Sequence, residues 1–203
     1  MLEQISASKS EILDAAAHCF MTMGADSASI DDIAASLGST KGRIYHHFPS
    51  KGALLAAVQL RAARFTYQAV SAVADDALPP QLCLERMARA HVMEVLRSLP
   101  YHKVILQTYT GARAKTSNAF ELGMQAQVRA EHRQYAELFR DQIARGIEAD
   151  IFPERNLTVT VAGLMLMLNS PVFWYQPDRG AGQEFRNTIA DDLAEMALAS
   201  LRA

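Results

Sequence analysis

Apolar residues recur along this chain at intervals of three and four, which is the signature of helices with one buried face. Alternation at intervals of two, the mark of strands, is nearly absent. Ser8-Lys9-Ser10-Glu11 has the capping-box pattern, and Ile12, Ala16 and Phe20 then share one helical face. Gly24 is placed to end this first helix in a left-handed turn. Ser29, with Asp31 and Asp32 close behind it, opens a second helix whose buried stripe is Ile30, Ile33, Ala34 and Leu37. Gly38 stops it. Ser39 or Thr40 caps a third, very short helix that ends before Pro49. A fourth begins around Pro49-Ser50-Lys51 and runs to the Asp75-Asp76 region.

The pattern continues in longer elements. Pro79-Pro80 and Pro100 bracket a fifth helix, and a sixth is expected from about Tyr101 to Thr116. From about Asn118 to Asp150 there is no proline, and Val128, His132, Tyr135, Phe139, Ile143 and Ile147 fall on one face of a long seventh helix. Pro153 ends it, an eighth begins near Asn156, and Pro171 should kink or shorten that eighth. Trp174-Tyr175-Gln176-Pro177-Asp178-Arg179-Gly180 is a turn-rich connector into a ninth, about Gln183 to Leu201. The expected fold is all-α, with about nine helices.

Composition narrows the class. At 203 residues, 50% hydrophobic and 21% charged, the chain can bury a core and is not disordered. The formal net charge of −2 neither demands nor forbids a nucleic-acid partner. Cys19 and Cys83 lie far apart with no CxxC spacing, which fits a reducing cytoplasm and excludes a cysteine-based zinc site. The nearly unbroken apolar run Val159–Leu168 is too short to span a bilayer, and MLEQISASKSE lacks the basic-then-apolar order of a signal peptide. A soluble cytoplasmic protein with no membrane partner is expected.

Function shows first in the N-terminal quarter. A long helix, a short one, a glycine-containing turn and a very short third helix give helix-turn-helix spacing, in which the third helix can lie in a DNA major groove. Residues 1–51 carry four basic and six acidic side chains, which looks wrong for DNA. Residues 33–74, however, contain Lys41, Arg43, Lys51, Arg61 and Arg64 and no acid. Local sign matters more than the sum. In GSTKGRIYHHFPSK, Ile44 and Phe48 are four apart and would plug the third helix into the core. Thr40, Lys41, Arg43, Tyr45, His46 and His47 are left outward, beside Gly42, which allows close backbone approach.

Residues 28–34 (ASIDDIA) together with residues 38–51 (GSTKGRIYHHFPSK) resemble the N-terminal signature of the tetracycline-repressor (TetR) family. The resemblance implies base-reading positions at Thr40, Lys41, Gly42 and Arg43, and phosphate or groove-edge contacts at Tyr45, His46 and His47. It also implies a phosphate-binding Lys51, and at Ser29 a helix N-terminus whose N–H groups can face a phosphate. A DNA-binding domain over residues 1–51 follows, with a fourth-helix connector of about 49–75. Residues 52–203 then form an effector-binding and dimerisation domain. The implied partners are a second copy of the chain, a double-stranded inverted-repeat operator and a small-molecule effector.

In the C-terminal part, Val161, Leu164, Met165, Leu168 and Val172 make the eighth helix apolar nearly all round, and Phe185, Ile189, Leu193 and Met196 stripe the ninth. Two broad apolar faces at the chain end suit a dimer, with Leu164, Leu168, Phe185, Ile189, Leu193 and Met196 as interface candidates; monomer core is the alternative. His91, Tyr109, Met124, His132, Tyr135, Phe139 and Trp174 are candidates for an effector pocket, and each serves equally as core. The two-proline turn, the long seventh helix and the Trp174-Tyr175-Gln176-Pro177 connector resemble TetR regulators that sense acyl-CoA thioesters. That resemblance implies an apolar acyl pocket, with Arg86, Arg89, Lys103, Arg113 or Lys115 near coenzyme A phosphates.

No enzyme is expected. Gly38-Ser39-Thr40-Lys41-Gly42 lacks the order of a phosphate-binding loop, there is no GxSxG or HExxH, and adjacent His46-His47 are poorly spaced for chelation. No metal or other cofactor is expected. Two alternatives remain: a zinc-binding regulator using His91, His102 or His132, and a helical scaffold with no DNA role.

Overall fold

A computed structural model of the chain describes residues 6–110, 119–177 and 182–202. The described residues contain ten helical segments and no strand: α1 (Ala7–Met23), α2 (Ile30–Ser36), α3 (Lys41–His47), α4 (Lys51–Ser71), α5 (Pro80–Arg97), α6 (Leu99–Thr110), α7 (Ala119–Glu148), α8 (Leu157–Leu168), α9 (Pro171–Trp174) and α10 (Gln183–Arg202). Nine correspond to the expected helices. The tenth, α9, is a single turn: the eighth helix stops at Leu168, and Pro171 opens a new turn instead of kinking the old one. Part of the connector, residues 178–181, and the expected end of the sixth helix fall outside the described residues.

The caps explain the boundaries. Ser6, not Ser8, caps α1 by accepting from the Lys9 N–H at 3.3 Å, so Ser8 sits inside the helix and its hydroxyl is released for other work. Gly24 ends α1 at φ 84° and Gly38 ends α2 at φ 56°, both backbone states that side chains disfavour. Beyond Gly38 the Ser39 N–H closes on the Ala34 carbonyl at 2.9 Å, as in a Schellman turn. Ser50 starts α4, its hydroxyl accepting from the Ala53 N–H at 3.0 Å.

Two compact units divide the chain, and neither is continuous in sequence. One takes residues 1–62 and 100–130, the other 63–99 and 131–203. The first therefore includes α6 and the start of α7 beside the N-terminal helices, where the sequence suggested a boundary at residue 51. In it α1 packs on α2 and α2 on α3, around Ile12, Phe20, Ile33 and Ile44, all with no exposed surface. In the second unit α5 packs along α10, and both meet α8. Its core runs from Val70 through Leu84, Met87 and Val92 to Phe139, Ile143, Leu168 and Tyr175. Close packing reaches the backbone at Gly146, where an added Cβ would lie 2.1 Å from the Phe152 ring.

Residues 157–174 are long and apolar enough to cross a membrane by length and composition alone, with mean hydropathy 1.5 and 28% buried. The span exceeds the ten-residue run apparent in the sequence. The fold breaks it at Asn169, and buries Val161, Leu164, Leu168 and Val172.

Candidate functional site

Local chemistry fixes the helix-turn-helix. At Ser29 the capping box is complete: the Asp32 N–H donates to Ser29 Oγ at 3.1 Å, and the Ser29 N–H donates to the Asp32 carboxylate at 2.8 Å. The Ser29 hydroxyl donates to the same carboxylate oxygen at 2.6 Å, and these bonds hold the Asp32 carboxyl below the usual carboxylate range. The Ser29 N–H is thus satisfied within the cap, and the contact with a phosphate expected at this helix N-terminus would fall to the N–H groups that follow it.

Helix α3 is anchored by Ile44 and Phe48, both buried, with the Phe48 N–H on the Ile44 carbonyl at 2.9 Å. That anchoring turns Thr40, Lys41, Gly42, Tyr45 and His46 to the exposed side, and leaves Arg43 and His47 half-buried. Lys41 pairs loosely with Asp31 at 3.4 Å, an exposed contact worth little. Arg43 is directed inward: its Nε and Nη2 donate to Ser8 Oγ at 3.2 and 3.0 Å, and Nη2 also pairs with Glu11. His47 Nε2 lies 3.3 Å from the same Ser8 hydroxyl. The Ser8 clamp escaped the sequence because it joins residues 35 and 39 positions apart. Lys51 Nζ donates to the Asp26 and Ala28 carbonyls at 2.9 and 3.1 Å. An ammonium has three N–H bonds, so one remains for an outside anion.

Further contacts brace this unit. Tyr101 donates to Asp14 at 2.6 Å, and Arg61 lies 5.5 Å from the Tyr101 ring. Burial and the neighbouring Asp14 raise the Tyr101 phenol well above its ordinary range. Gln107 donates to the Met21 carbonyl at 3.2 Å. Ser50 donates to the Glu121 carboxylate at 2.5 Å, and an added Cβ at Gly52 would come within 2.5–2.9 Å of that carboxyl group.

In the second unit the structure joins three of the seven pocket candidates. His91 Nδ1 and the Tyr135 hydroxyl are 2.5 Å apart and their rings stack with centroids at 5.8 Å; Phe139 meets both rings edge-on. All three are buried. Burial pushes His91 down to about 4, opposed only in part by the Asn169 side chain, and pushes the Tyr135 phenol up. His132, half-buried on the same helix as Tyr135, is lowered by burial as well. Trp174 is 50% exposed, on α9, where it packs edge-on against Tyr175. Met124 belongs to the other unit, and the side chain of Tyr109 lies outside the described residues.

Of the basic candidates, Arg86 is exposed, Arg89 is held by Asp191 at 2.5 Å, and Lys103 is half-buried in the first unit. Arg113 and Lys115 lie outside the described residues. Among the described residues no group of three or more His, Cys, Asp or Glu is brought together that could hold a metal.

Four interface candidates prove to be protomer core: Leu164, Leu168, Ile189 and Leu193 are all 9% exposed or less, covered by α5 and its neighbours. Phe185 and Met196 are about half exposed, joined by Val159, Leu166 and Phe173, none of which stands out as an interface position from the sequence. Exposure of apolar side chains on α8, α9 and α10 was the missing signal, and it follows from packing rather than periodicity.

Comparison with known proteins agrees with this layout. Residues 12–58 match the model of bacterial regulatory proteins of the tetR family, and residues 78–201 match a tetracyclin repressor-like C-terminal domain. An HTH-type transcriptional repressor of Mycobacterium tuberculosis is 36% identical over 56 residues, 28% of this chain and 30% of that protein. The match to that curated relative thus spans under a third of its length. The TetR-family regulator PfmR of Thermus thermophilus is 27% identical, with TM-score 0.75 over 93% of this chain and 97% of that one. AibR, solved in complex with isovaleryl coenzyme A and operator DNA, shares the fold at 21% identity and TM-score 0.75 over 93% and 97% of the two chains. The C-terminal match alone covers more than half of the chain, and the helix-turn-helix match precedes it: the chain belongs to the tetR family of bacterial regulatory proteins.

Proposed function

We propose that this chain is a ligand-responsive transcriptional regulator, a repressor that leaves an inverted-repeat operator when a small apolar effector binds. The observation that carries this reading is the outward face of α3. Thr40, Lys41, Gly42, Tyr45 and His46 stand exposed on a helix anchored by Ile44 and Phe48, in a stretch without acids from residue 33 to 74. Lys41 and Thr40 supply donors for base edges, Gly42 allows backbone approach, and Lys51 offers its remaining N–H to a phosphate. Residues 1–51 read DNA, and residues 52–203 take the effector and pair with a second copy. That copy covers Leu166, Phe173, Phe185 and Met196, whose exposure is costly in a monomer. A role on DNA implies a cytoplasmic protein, and a regulator rather than an enzyme.

The effector reading rests on the buried His91, Tyr135 and Phe139 cluster and on the fold shared with AibR, whose solved complex holds isovaleryl coenzyme A. Acyl-CoA thioesters are therefore the effectors to test first. Selection of bound sequences from a random duplex library should return an inverted repeat. Isovaleryl-CoA and longer thioesters are then titrated into the operator complex. Coupling of about 1–3 kcal/mol loosens it roughly 5–150-fold, and the operator must weaken thioester binding by the same factor. A non-palindromic consensus bound by monomer sinks the dimeric repressor. A thioester that binds tightly yet leaves the operator complex intact sinks the switch.

A further inference from the structure

One hydroxyl of α1 governs what the arginine of α3 can offer to DNA. Ser8 Oγ accepts from Arg43 Nε at 3.2 Å and from Arg43 Nη2 at 3.0 Å, which uses both of its lone pairs. Its own hydrogen is left to donate, and His47 Nε2 stands 3.3 Å away to accept it. That third bond fixes the direction of the hydroxyl, so its lone pairs stay turned to Arg43. One turn further along α1, Glu11 takes Arg43 Nη2 as well.

Counting donors decides what is left. A guanidinium has five N–H bonds, one on Nε and two on each Nη. Ser8 takes the Nε bond and one from Nη2, and Glu11 takes the other from Nη2. Both remaining bonds are on Nη1. Reading a guanine edge takes a fork, two parallel N–H bonds from neighbouring nitrogens aimed at O6 and N7. With Nη2 spent, Arg43 has no fork on either side. A phosphate asks for less, namely charge and a donor in no fixed direction. Because the guanidinium is planar, Nη1 points away from the edge that Ser8 holds, and the side chain is 34% exposed.

We propose that Ser8 is a positioning residue of the DNA-binding face, which presents Arg43 to the phosphate backbone through Nη1 while Glu11 withholds Nη2 from a base-reading fork. This departs from the base-reading role expected at position 43, and it rests on the DNA-binding function proposed above. Base reading then falls to Thr40, Lys41, Tyr45 and His46, which stand exposed on the same helix.

The test uses the full chain and two duplexes, the inverted repeat recovered by selection and a scrambled duplex of equal length, each titrated across salt concentrations. Arg43→Ala should weaken both by about tenfold, leave the ratio of the two affinities unchanged and lower the salt slope by about one. Arg43→Lys, which keeps the charge and loses the fork, should retain both the slope and the ratio. Ser8→Ala should weaken both duplexes by about threefold, and should have no further effect in a chain that already carries Arg43→Ala. Ser8→Thr keeps the hydroxyl and should bind as the unaltered chain does. A loss from misfolding alone leaves the slope unchanged, so the slope separates it from a lost phosphate contact. A loss of preference at one base position in Arg43→Ala, or a Ser8→Ala effect that is absent or equal with and without Arg43, overturns the proposal and leaves the regulator standing. Failure of the unaltered chain to bind any duplex overturns both.

Discussion

The two compact units handle polar side chains in opposite ways. In the helix-turn-helix unit the chemistry faces out, with Lys41, Tyr45 and His46 exposed and Arg43 and Lys51 tied to neighbours by bonds that solvent or phosphate can replace. In the other unit His91, Tyr135 and Glu94 are buried; His91 and Tyr135 partner each other, and Glu94 is met by the exposed Arg97. An outward set of weakly held donors suits a large polar partner, whose contacts are numerous and individually small. An inward set suits a small molecule, because few groups act there and each acts without competition from water.

The inward side should give the larger effects. Phe139→Ala removes a fully buried ring that touches both His91 and Tyr135, and should cost about 3–5 kcal/mol in urea unfolding. A loss below about 1 kcal/mol would mean the cluster is not packed as described. Acid should find the same cluster through His91. Its folded value near 4 lies below the unfolded 6.5, so the stabilisation is complete above about pH 6.5 and is lost as pH falls towards 4. The full swing is on the order of 3 kcal/mol, and the lowered His132 adds to it in the same direction. Unfolding at neutral and acid pH should show that loss in the unaltered chain and a much smaller one in His91→Gln. Equal losses would assign the acid sensitivity elsewhere.

Gly146→Ala comes next. A Cβ there meets the buried Phe152 ring, and overpacking of that kind costs about 1–3 kcal/mol. The outward side should then respond in affinity rather than stability. Lys51→Ala should weaken all duplexes alike and lower the salt slope by about one, checked by titrating salt on specific and scrambled DNA. The smallest effect is expected at Glu11. Glu11→Gln frees Arg43 from an exposed pair worth at most about 1 kcal/mol, so operator affinity should rise by no more than about fivefold. If affinity falls instead, Glu11 positions Arg43 for DNA rather than competing with DNA for it.

The legible parts of this molecule are the local ones. Ser29, Gly24, Gly38 and Asn156 each act within four residues of themselves, so their helix boundaries could be read directly from the sequence, whereas α7 ends at Glu148, before Pro153, where Asp150 turns to φ 55°. The outward face of α3 was legible for the same reason, since two buried positions four apart orient the rest. Two things were not. The Ser8 clamp on Arg43 and the Tyr135 hydroxyl on His91 both depend on residues meeting across separate helices. Periodicity marks an apolar face and does not say which neighbour covers it. That is why Leu164, Leu168, Ile189 and Leu193 read equally as interface or core, and only packing against α5 decided it.

The absent side chain at Gly52 carries a consequence for how this sequence can change over time. Glu121 reaches Ser50 by passing through the space a Cβ at position 52 would fill. Any other residue at 52 pushes the carboxylate aside, and once Glu121 is lost or shortened the space at 52 is free to fill. The two positions therefore cannot drift independently. Among descendants of this chain, the small residue in α4 and the acid in α7 should persist together or disappear together, leaving a paired trace in sequences 69 positions apart.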